Sequence, residues 1–274
     1  MEYGRVVLLT GASSGIGKIT SEKLADLGLR VYGTSRRANN GNIVYSNEAS
    51  QGFVEMVQLD VCSDQSVKDA VSYVMEKEGC INVLINNAGF GLAGAIEETT
   101  AEEAMAQLNT NFFGTHRMCR EVLPIMRKQK KGLIINIGSV AGIFSIPYQS
   151  MYSASKFALE AYTEALRIEV RDFGIKAVIV EPGDTRTSFT ENRQYTAESE
   201  NTVYPNSKKS IHKMIKDEKS GDNPIETAQA ICKLLYKKNP PVRVTVGPVY
   251  KLFVQLKRVF PNRLTEYIIR RMYS

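Results

Sequence analysis

Short apolar runs alternate along the chain with longer segments of helical periodicity, and this alternation limits the fold more than any other feature. Several of the runs are too uniformly apolar for a strand with one face in water, which is the pattern of strands in a parallel sheet. Parallel strands need crossover connections, and the helical segments are long enough to provide them. The sequence therefore predicts an α/β fold, a doubly wound parallel sheet with helices on both faces.

We predict about seven strands, over residues 5–10, 29–35, 53–60, 81–86, 133–138, 175–181 and 242–247. The predicted helices cover residues 16–27, 64–78, 101–130, 151–173 and 225–237. A chain of 274 residues with 43% hydrophobic residues suits one large domain better than two. We expect residues 1–247 to form this domain and residues 248–274 to be an extension packed on or near it.

Two segments depart from the alternation. Residues 38–52 are rich in Asn, Gly and Ser and offer little helical pattern, although they lie between two predicted parallel strands. Residues 184–223 are long and polar, which is typical of a substrate lid or of a mobile insertion.

The net charge of +6 is concentrated near the carboxyl end. Residues 248–274 contain six basic residues against one acidic residue, Glu266, and account for +5 of the total. The rest of the chain is close to neutral and lacks zinc-finger spacing or an aromatic-basic RNA signature. We therefore expect no nucleic-acid partner.

The cysteines are scattered, with no CxxC motif and no histidine at metal-ligand spacing. This pattern indicates reduced thiols in a cytosolic protein without a bound metal. The four are Cys62, Cys80, Cys119 and Cys232.

The first predicted strand runs into the glycine-rich segment T-G-A-S-S-G-I-G, residues 10–17, which opens the first helix. Gly11 permits a tight turn, Gly15 lets the backbone approach a pyrophosphate, and Gly17 allows close helix packing. The amino terminus of the helix stabilises negative charge. A glycine cluster alone is often only a turn, but its position at the first strand-to-helix junction favours dinucleotide binding.

The end of the second predicted strand indicates which dinucleotide is bound. An acid there contacts the ribose 2′-hydroxyl of NAD, whereas arginine accommodates the 2′-phosphate of NADP. The strand ends Ser35-Arg36-Arg37, without a carboxylate. We predict NADP(H), with Arg36 on the phosphate. The alternative is a solvated arginine pair at a strand end.

A YxxxK pattern occurs three times in the chain, but only Tyr152 and Lys156 have a serine, Ser139, thirteen residues upstream of the tyrosine. Positions four apart share a helix face, so Lys156 can place its charge beside the phenol. A nearby cation lowers a tyrosine pKa, and we expect Tyr152 to exchange protons with a substrate while Ser139 stabilises a developing alkoxide. Singly, each residue type is more often a cap, surface or turn residue.

These segments together resemble the short-chain dehydrogenases/reductases in their basic single-domain form, with a Rossmann fold. The resemblance runs from about Arg5 to Phe189. It rests on ordered motifs: TGASSGIG, Asp60-Val61, Asn86-Asn87-Ala88-Gly89, Asn111, Ser139, Tyr152 with Lys156, and Pro182-Gly183 followed by Thr185 and Thr187.

The resemblance implies an oxidoreductase with a nicotinamide cofactor, for which Arg36 favours NADP(H), and it implies that Asn111 holds a water that links Lys156 to solvent. The implied catalytic residues are Asn111, Ser139, Tyr152 and Lys156. The implied cofactor-binding residues are Gly11, Ser13, Ser14, Gly15, Ile16, Gly17, Ser35, Arg36, Asp60, Val61, Asn87, Ala88, Gly89, Tyr152, Lys156, Pro182, Gly183, Thr185 and Thr187. A homodimer or homotetramer is the family expectation.

Apolar side chains at the expected mouth of the site indicate a bulky hydrophobic ketone or alcohol. The candidate substrate contacts are Ser139, Tyr152, Phe90, Leu92, Phe144 and Phe189. The sequence of residues 91–189 most resembles the hydroxysteroid and retinol dehydrogenase branch of the family. This resemblance favours a steroid-like or retinoid-like substrate. The alternatives are a 3-oxoacyl or sphingoid ketone, or a non-catalytic protein that senses NADP. The apolar residues also fit simple packing under the following loop.

Residues 248–274 show apolar positions at helical spacing with basic residues between them. A segment of this kind packs on its own domain or a sister subunit, or lies on an anionic membrane. We expect a cytoplasmic protein, with peripheral membrane contact as the second interpretation. The apolar positions are Leu252, Phe253, Leu256, Val259, Leu264, Tyr267, Ile268 and Met272.

Overall fold

The computed structural model describes residues 1–273, and its strands form one large sheet and one short ribbon. The strands are β1 (Val6–Thr10), β2 (Arg30–Ser35), β3 (Asn42–Asn47), β4 (Gly52–Gln58), β5 (Val83–Asn86), β6 (Leu92–Ala93), β7 (Gly132–Ile137), β8 (Ile175–Glu181), β9 (Gln194–Tyr195) and β10 (Arg243–Thr245). The large sheet has the order β10-β8-β7-β5-β1-β2-β4-β3, and β6 pairs with β9 in the ribbon. All pairs are parallel except β3 with β4.

The helices are α1 (Gly15–Asp26), α2 (Asp64–Glu78), α3 (Ala101–Leu108), α4 (Gly114–Gln129), α5 (Ser150–Glu169), α6 (Ser207–Lys219), α7 (Pro224–Leu234), α8 (Pro248–Val259) and α9 (Asn262–Tyr273). Within residues 1–273, none of them is both long enough and apolar enough to cross a bilayer. The predicted helix 101–130 is divided by a π-helical turn, Asn109–Phe113. The predicted loop 184–223 contains β9 and α6.

The packing of strand β1 shows that both faces of the sheet are covered. Val7 and Leu9 pack in a core cluster with residues of α1 and α7, whereas Val6 and Leu8 pack in a second cluster with residues of α2, α4 and α5. Successive side chains of a strand point to opposite faces, so a strand buried on both faces is apolar on both, as β1 is from Val6 to Leu9. The predicted doubly wound α/β fold is confirmed.

The predicted number of strands was wrong, because the large sheet has eight. The additional strand is β3, which pairs antiparallel with β4 and replaces a crossover helix. Asn47 accepts hydrogen bonds from the backbone N–H groups of Ala49 and Ser50, and Gln51 has a φ of 61°, so a tight turn joins the two strands. The Asn-, Gly- and Ser-rich composition of this segment suits such a turn better than a helix.

The parallel arrangement brings the carboxyl ends of the central strands to one edge of the sheet. The glycine-rich loop follows β1, the Asn87 segment follows β5, Ser139 follows β7 and Pro182 follows β8. The predicted site residues therefore meet there although they are far apart in the chain.

Candidate active site

The glycine-rich loop between β1 and α1 has the backbone conformation that its glycines allow. Gly11 has a φ of +70° and Gly15 a φ of +53°, both in the left-handed region that L side chains rarely adopt. A Cβ atom on Gly17 would collide with the carbonyl oxygen of Gly11. These features fit close approach of a pyrophosphate to the amino terminus of α1.

The loop is fastened to the segment after β5 by Thr10 and Asn87. Thr10 Oγ1 accepts hydrogen bonds from the backbone N–H groups of Asn87 at 2.9 Å and of Ala88 at 3.0 Å. Asn87 Nδ2 donates to the carbonyl oxygens of Thr10 at 2.9 Å and of Gly11 at 3.0 Å. The side chains of Thr10 and Asn87 thus hold the two walls of the dinucleotide cleft together.

Arg36 lies just beyond β2 and is exposed to solvent. Its guanidinium has no hydrogen bond or ion pair to other groups in residues 1–273, so its donors are available to a phosphate. On the adjacent strand end, Asp60 Oδ1 accepts from the Cys62 backbone N–H at 2.9 Å and shapes the turn that carries the buried Val61. The end of β2 thus presents the unpaired Arg36 guanidinium where the sequence predicts a 2′-phosphate.

Ser139 and Tyr152 lie beside each other at the carboxyl end of β7. Ser139 Oγ accepts from the Ala141 backbone N–H at 3.1 Å and also hydrogen-bonds the phenol of Tyr152. Tyr152 and Lys156 lie on the first turns of α5, with Lys156 Nζ 5.7 Å from the centre of the tyrosine ring. The structure therefore brings the predicted hydroxyl, phenol and ammonium together.

The electrostatics of this group differ from the prediction. Burial raises the pKa of Tyr152 to about 12, although the hydrogen bond from Ser139 opposes that rise. Burial lowers the pKa of Lys156 to about 8, and its Nζ donates to the Ile137 carbonyl oxygen at 2.8 Å rather than to the phenol. The predicted lowering of the Tyr152 pKa was wrong for this arrangement, because burial of the phenol outweighs the hydrogen bond from Ser139 and the charge of Arg193.

Asn111 lies in the π-helical turn between α3 and α4 and is buried. Its side chain accepts from the Phe90 N–H at 3.1 Å and donates to the Phe90 carbonyl oxygen at 3.0 Å and to Ser155 Oγ at 3.1 Å. The side chain thus connects the cleft wall to α5, and Gly89 packs closely against it. The predicted water link to Lys156 stays a prediction.

The segment after β8 closes the cleft from the opposite side. The Pro182 carbonyl oxygen accepts from the Val140 N–H at 3.0 Å, and Thr185 Oγ1 donates to the Gly183 carbonyl oxygen at 2.9 Å. Thr187 lies against Gly15, where an added Cβ would be 3.3 Å from the threonine Cβ. The predicted nicotinamide side and phosphate side of the cleft are therefore in contact.

The four apolar side chains predicted to contact a substrate lie in different surroundings. Phe189 has its ring centre 5.5 Å from that of Tyr152, whereas Phe90 is fixed through its backbone by Asn111. Leu92 is buried in β6, and Phe144 lies under the ammonium of Lys257 from α8. Of these four side chains, the structure places that of Phe189 directly against the phenol of Tyr152.

The short chain dehydrogenase family model matches residues 5–198. The chain is 45% identical over 273 residues to a 3-ketodihydrosphingosine reductase of Bacteroides thetaiotaomicron, with 98% of each chain covered. It is 32% identical to human retinol dehydrogenase 8, with 93% of this chain and 85% of the relative covered.

The chain belongs to the short-chain dehydrogenase family. Among solved structures, a short-chain dehydrogenase from Streptomyces avermitilis has a TM-score of 0.79 and 32% identity, covering 93% of this chain and 94% of that one. The chain is therefore an oxidoreductase of CH–OH groups, on a Rossmann-like fold that binds nicotinamide cofactors.

Charged groups of residues 184–223 also reach the site of this short-chain dehydrogenase. The Arg193 guanidinium pairs with Glu218 of α6 and lies 5.9 Å from the centre of the Phe189 ring. Glu218 and Asp184 raise the pKa of Tyr152, whereas Arg193 lowers it. Sequence reasoning missed these residues, because nothing in a polar segment marks which charges become buried.

A second missed group lies behind Lys156 and consists of Glu160, Glu181 and Arg243. Arg243 Nη2 is 3.4 Å from Glu160 Oε2, and its Nε is 3.4 Å from Glu181 Oε1. Both glutamates are buried. The sequence signal that could have revealed Glu160 is its position four residues after Lys156, which places it one helical turn away on the same helix face.

Proposed function

We propose that the protein reduces a long-chain 2-amino ketone of the 3-ketodihydrosphingosine type with NADPH. The observation that carries the proposal is the 45% identity, over 98% of both chains, to a 3-ketodihydrosphingosine reductase. This proposal takes the sphingoid alternative over the steroid or retinoid substrate that the local sequence favours.

Arg36 supports NADP(H) as the cofactor. Its guanidinium is exposed, carries no partner among residues 1–273, and follows the strand whose end meets the adenosine ribose in this fold. The Ser35-Arg36-Arg37 end of β2 offers no carboxylate to a ribose 2′-hydroxyl. A planar guanidinium binds a phosphate through two parallel hydrogen bonds, which favours NADPH over NADH.

The proposed chemistry is ketone reduction, for which a bound nicotinamide would supply the hydride. Ser139 and Tyr152 hydrogen-bond the carbonyl oxygen, and Tyr152 donates its proton to that oxygen as the alcohol forms. With a pKa of about 12, the phenol retains its proton at neutral pH and is ready to donate it. Lys156 holds positive charge near the phenol, which stabilises the phenolate that the proton transfer leaves.

Asp184 supports a substrate with an ammonium group next to the ketone. It lies in the segment after β8 that lines the cleft, and its charge contributes to the raised pKa of Tyr152. Glu218 is already paired with Arg193, whereas within residues 1–273 the Asp184 carboxylate has no ion pair and accepts a neutral hydrogen bond from Tyr250 at 2.8 Å. A 3-ketodihydrosphingosine carries an amine on the carbon beside its ketone, and Asp184 would balance the charge of that amine.

We also propose a homodimer or homotetramer that uses α4 and α5. Ile168 and Phe157 of α5 are exposed large apolar residues on a helix whose other face packs on the sheet. A sister subunit would cover them.

A substrate panel tests the proposed reaction. Purified protein is incubated with NADPH or NADH and with 3-ketodihydrosphingosine, an uncharged long-chain ketone, a ketosteroid and retinal, and products are identified by mass spectrometry. We expect reduction of the amino ketone with NADPH, with a kcat/KM at least about tenfold above the other carbonyls. Preferred turnover of the steroid or of retinal would contradict the substrate assignment, and equal use of NADH would contradict the cofactor assignment.

A further inference from the structure

We propose that α8 and α9 form a docking surface for an anionic lipid bilayer at the entrance of the candidate active site. This docking surface is defined by the exposed apolar residues Val249, Leu252, Phe253 and Val259 of α8 and Leu264, Ile268 and Met272 of α9. The proposal does not depend on which ketone the enzyme reduces.

Helix α8 has one face on the protein and another free. Tyr250 donates to Asp184, Val254 is buried, and Lys257 donates to the Ile143 carbonyl oxygen, so these three residues define the inner face. Leu252 and Val259 lie on a different face and are 57% and 74% exposed. The helix therefore presents an apolar stripe that its own domain does not cover.

Helix α9 repeats the arrangement. Tyr273 is buried against Ile211 and Met214 of α6, and Ile269 packs beside them. Leu264, Ile268 and Met272 follow one another at intervals of four, share another face, and are 36–40% exposed. The inner contacts of α9 are thus satisfied without these three side chains.

The charge of residues 248–274 indicates what binds to the docking surface. Residues 248–274 have a net charge of +5, with Lys251, Lys257, Arg258, Arg263, Arg270 and Arg271 against Glu266. A second copy docking symmetrically through this surface would bring the two positive segments together, which costs free energy. An anionic bilayer matches both the apolar stripes and the basic residues, as for helices that lie in a membrane interface.

The docking surface also adjoins the substrate side of the site. Lys257 lies over the ring of Phe144, and Ile269 and Tyr273 of α9 belong to the same apolar cluster as Ile146 and Tyr148. A bilayer on α8 and α9 would therefore lie beside the loop that leads from Ser139 to Tyr152. A lipid-soluble ketone would then reach the site without crossing water.

Vesicle flotation of the full chain tests the proposal. We use phosphatidylcholine vesicles with and without about one third phosphatidylglycerol, at low and high salt. We expect flotation with the anionic vesicles only, and release at high salt. The variant L252S/V259S and the variant K251Q/R263Q/R270Q should each reduce the bound fraction at least about fivefold.

The control variant I43S/V44S removes two similarly exposed apolar residues from the edge strand β3, away from α8 and α9. It should float like the unchanged protein, and thermal unfolding should show that all variants remain folded. Failure to bind anionic vesicles, or equal loss in the control, would overturn the proposal. A fall in the mass measured by sedimentation velocity for L252S/V259S, without vesicle binding by the unchanged chain, would instead identify a contact between copies. Flotation needs no turnover, so its outcome is separate from that of the substrate panel.

Discussion

The carboxylates of Glu160 and Glu181 lie together in the interior, with Glu160 one helical turn after Lys156 on α5 and Glu181 at the end of β8. Both are buried, and Arg243 approaches each of them at 3.4 Å. Burial, followed by the charge of Glu181, raises the pKa of Glu160 to about 8. The pair therefore retains a proton at neutral pH, since two adjacent ionised carboxylates would repel each other with little solvent to screen them.

The raised pKa of Glu160 makes the stability of the protein depend on pH. A carboxyl with a folded-state pKa of about 8 and an unfolded pKa near 4.3 stabilises the fold fully below pH of about 4, and loses that contribution as pH rises to about 8. Glu160→Gln stays neutral, so we expect it to gain stability relative to the unchanged protein between these limits. Each pKa unit corresponds to about 1.4 kcal/mol, and we expect a difference above about 1 kcal/mol at pH 8.

Urea unfolding from pH 4 to pH 8.5 measures this difference. Glu164→Gln is the matched control, because Glu164 also pairs with Arg243 but its side chain is 53% exposed. The control should show little pH dependence relative to the unchanged protein. A constant offset for Glu160→Gln across the range would contradict the proton-sharing arrangement.

Thr10→Val should weaken both the fold and the cofactor cleft. The substitution preserves shape but leaves the Asn87 and Ala88 N–H groups without their acceptor. An unpaired N–H costs about 1–3 kcal/mol where it is buried, so we expect a loss of about 2 kcal/mol. Urea unfolding and fluorescence titration with NADPH should show lower stability and a raised Kd. Thr10→Ser retains the hydroxyl and should lie close to the unchanged protein; equal damage by both substitutions would point to methyl packing instead.

The buried strands were predictable, because β1, β5, β7 and β8 are covered on both faces and are therefore mostly apolar, with few polar residues such as Asn86, Asn136 and Glu181. Strand β3 was not, since Ile43 and Val44 are exposed at the sheet edge and leave no burial pattern. The π-helical turn at Asn111 was also missed, as one wider turn hardly disturbs helical periodicity.

The predicted site residues come together because the carboxyl ends of parallel strands share an edge. The pairing of Arg193 with Glu218 could not be predicted, because the two residues are 25 positions apart in a segment without strand or motif signals. The pKa of Tyr152 depends on how deeply the phenol is buried, which only the folded arrangement determines.

Arg36→Asp should reverse the cofactor preference. The substitution removes the unpaired guanidinium and places a carboxylate where it would repel a 2′-phosphate and accept from a 2′-hydroxyl. We expect kcat/KM for NADPH to fall at least about a hundredfold while that for NADH rises. Arg37→Asp is the adjacent control, with a smaller effect expected. If both substitutions leave the ratio of the two kcat/KM values unchanged, Arg36 does not bind the phosphate.

Tyr152→Phe should abolish turnover and leave cofactor binding intact. The variant keeps the ring that packs against Phe189 but removes the proton donor and its hydrogen bond with Ser139. We expect kcat to fall at least about a thousandfold, with the Kd for NADPH changed less than about threefold. Turnover assays and fluorescence titration measure the two quantities. Substantial remaining activity would remove Tyr152 from the proposed role.

Asp184→Asn should separate an amino ketone from an uncharged ketone. The asparagine Oδ1 can still accept from Tyr250, so the substitution removes the charge and retains the local contact. Burial, together with the charges of Glu218 and Asp217, raises the pKa of Asp184, so its ionised form is disfavoured. A substrate ammonium that pairs with the carboxylate would stabilise the ionised form.

We therefore expect Asp184→Asn to lower kcat/KM about tenfold for 3-ketodihydrosphingosine and to leave the uncharged long-chain ketone within about twofold. N-acetylation of the amino ketone should remove the difference between the variant and the unchanged protein. Tyr250→Phe loses the hydrogen bond but keeps the charge, and it should affect both ketones alike. An equal loss on both ketones in Asp184→Asn would mean that Asp184 shapes the loop after β8 instead of selecting the amine.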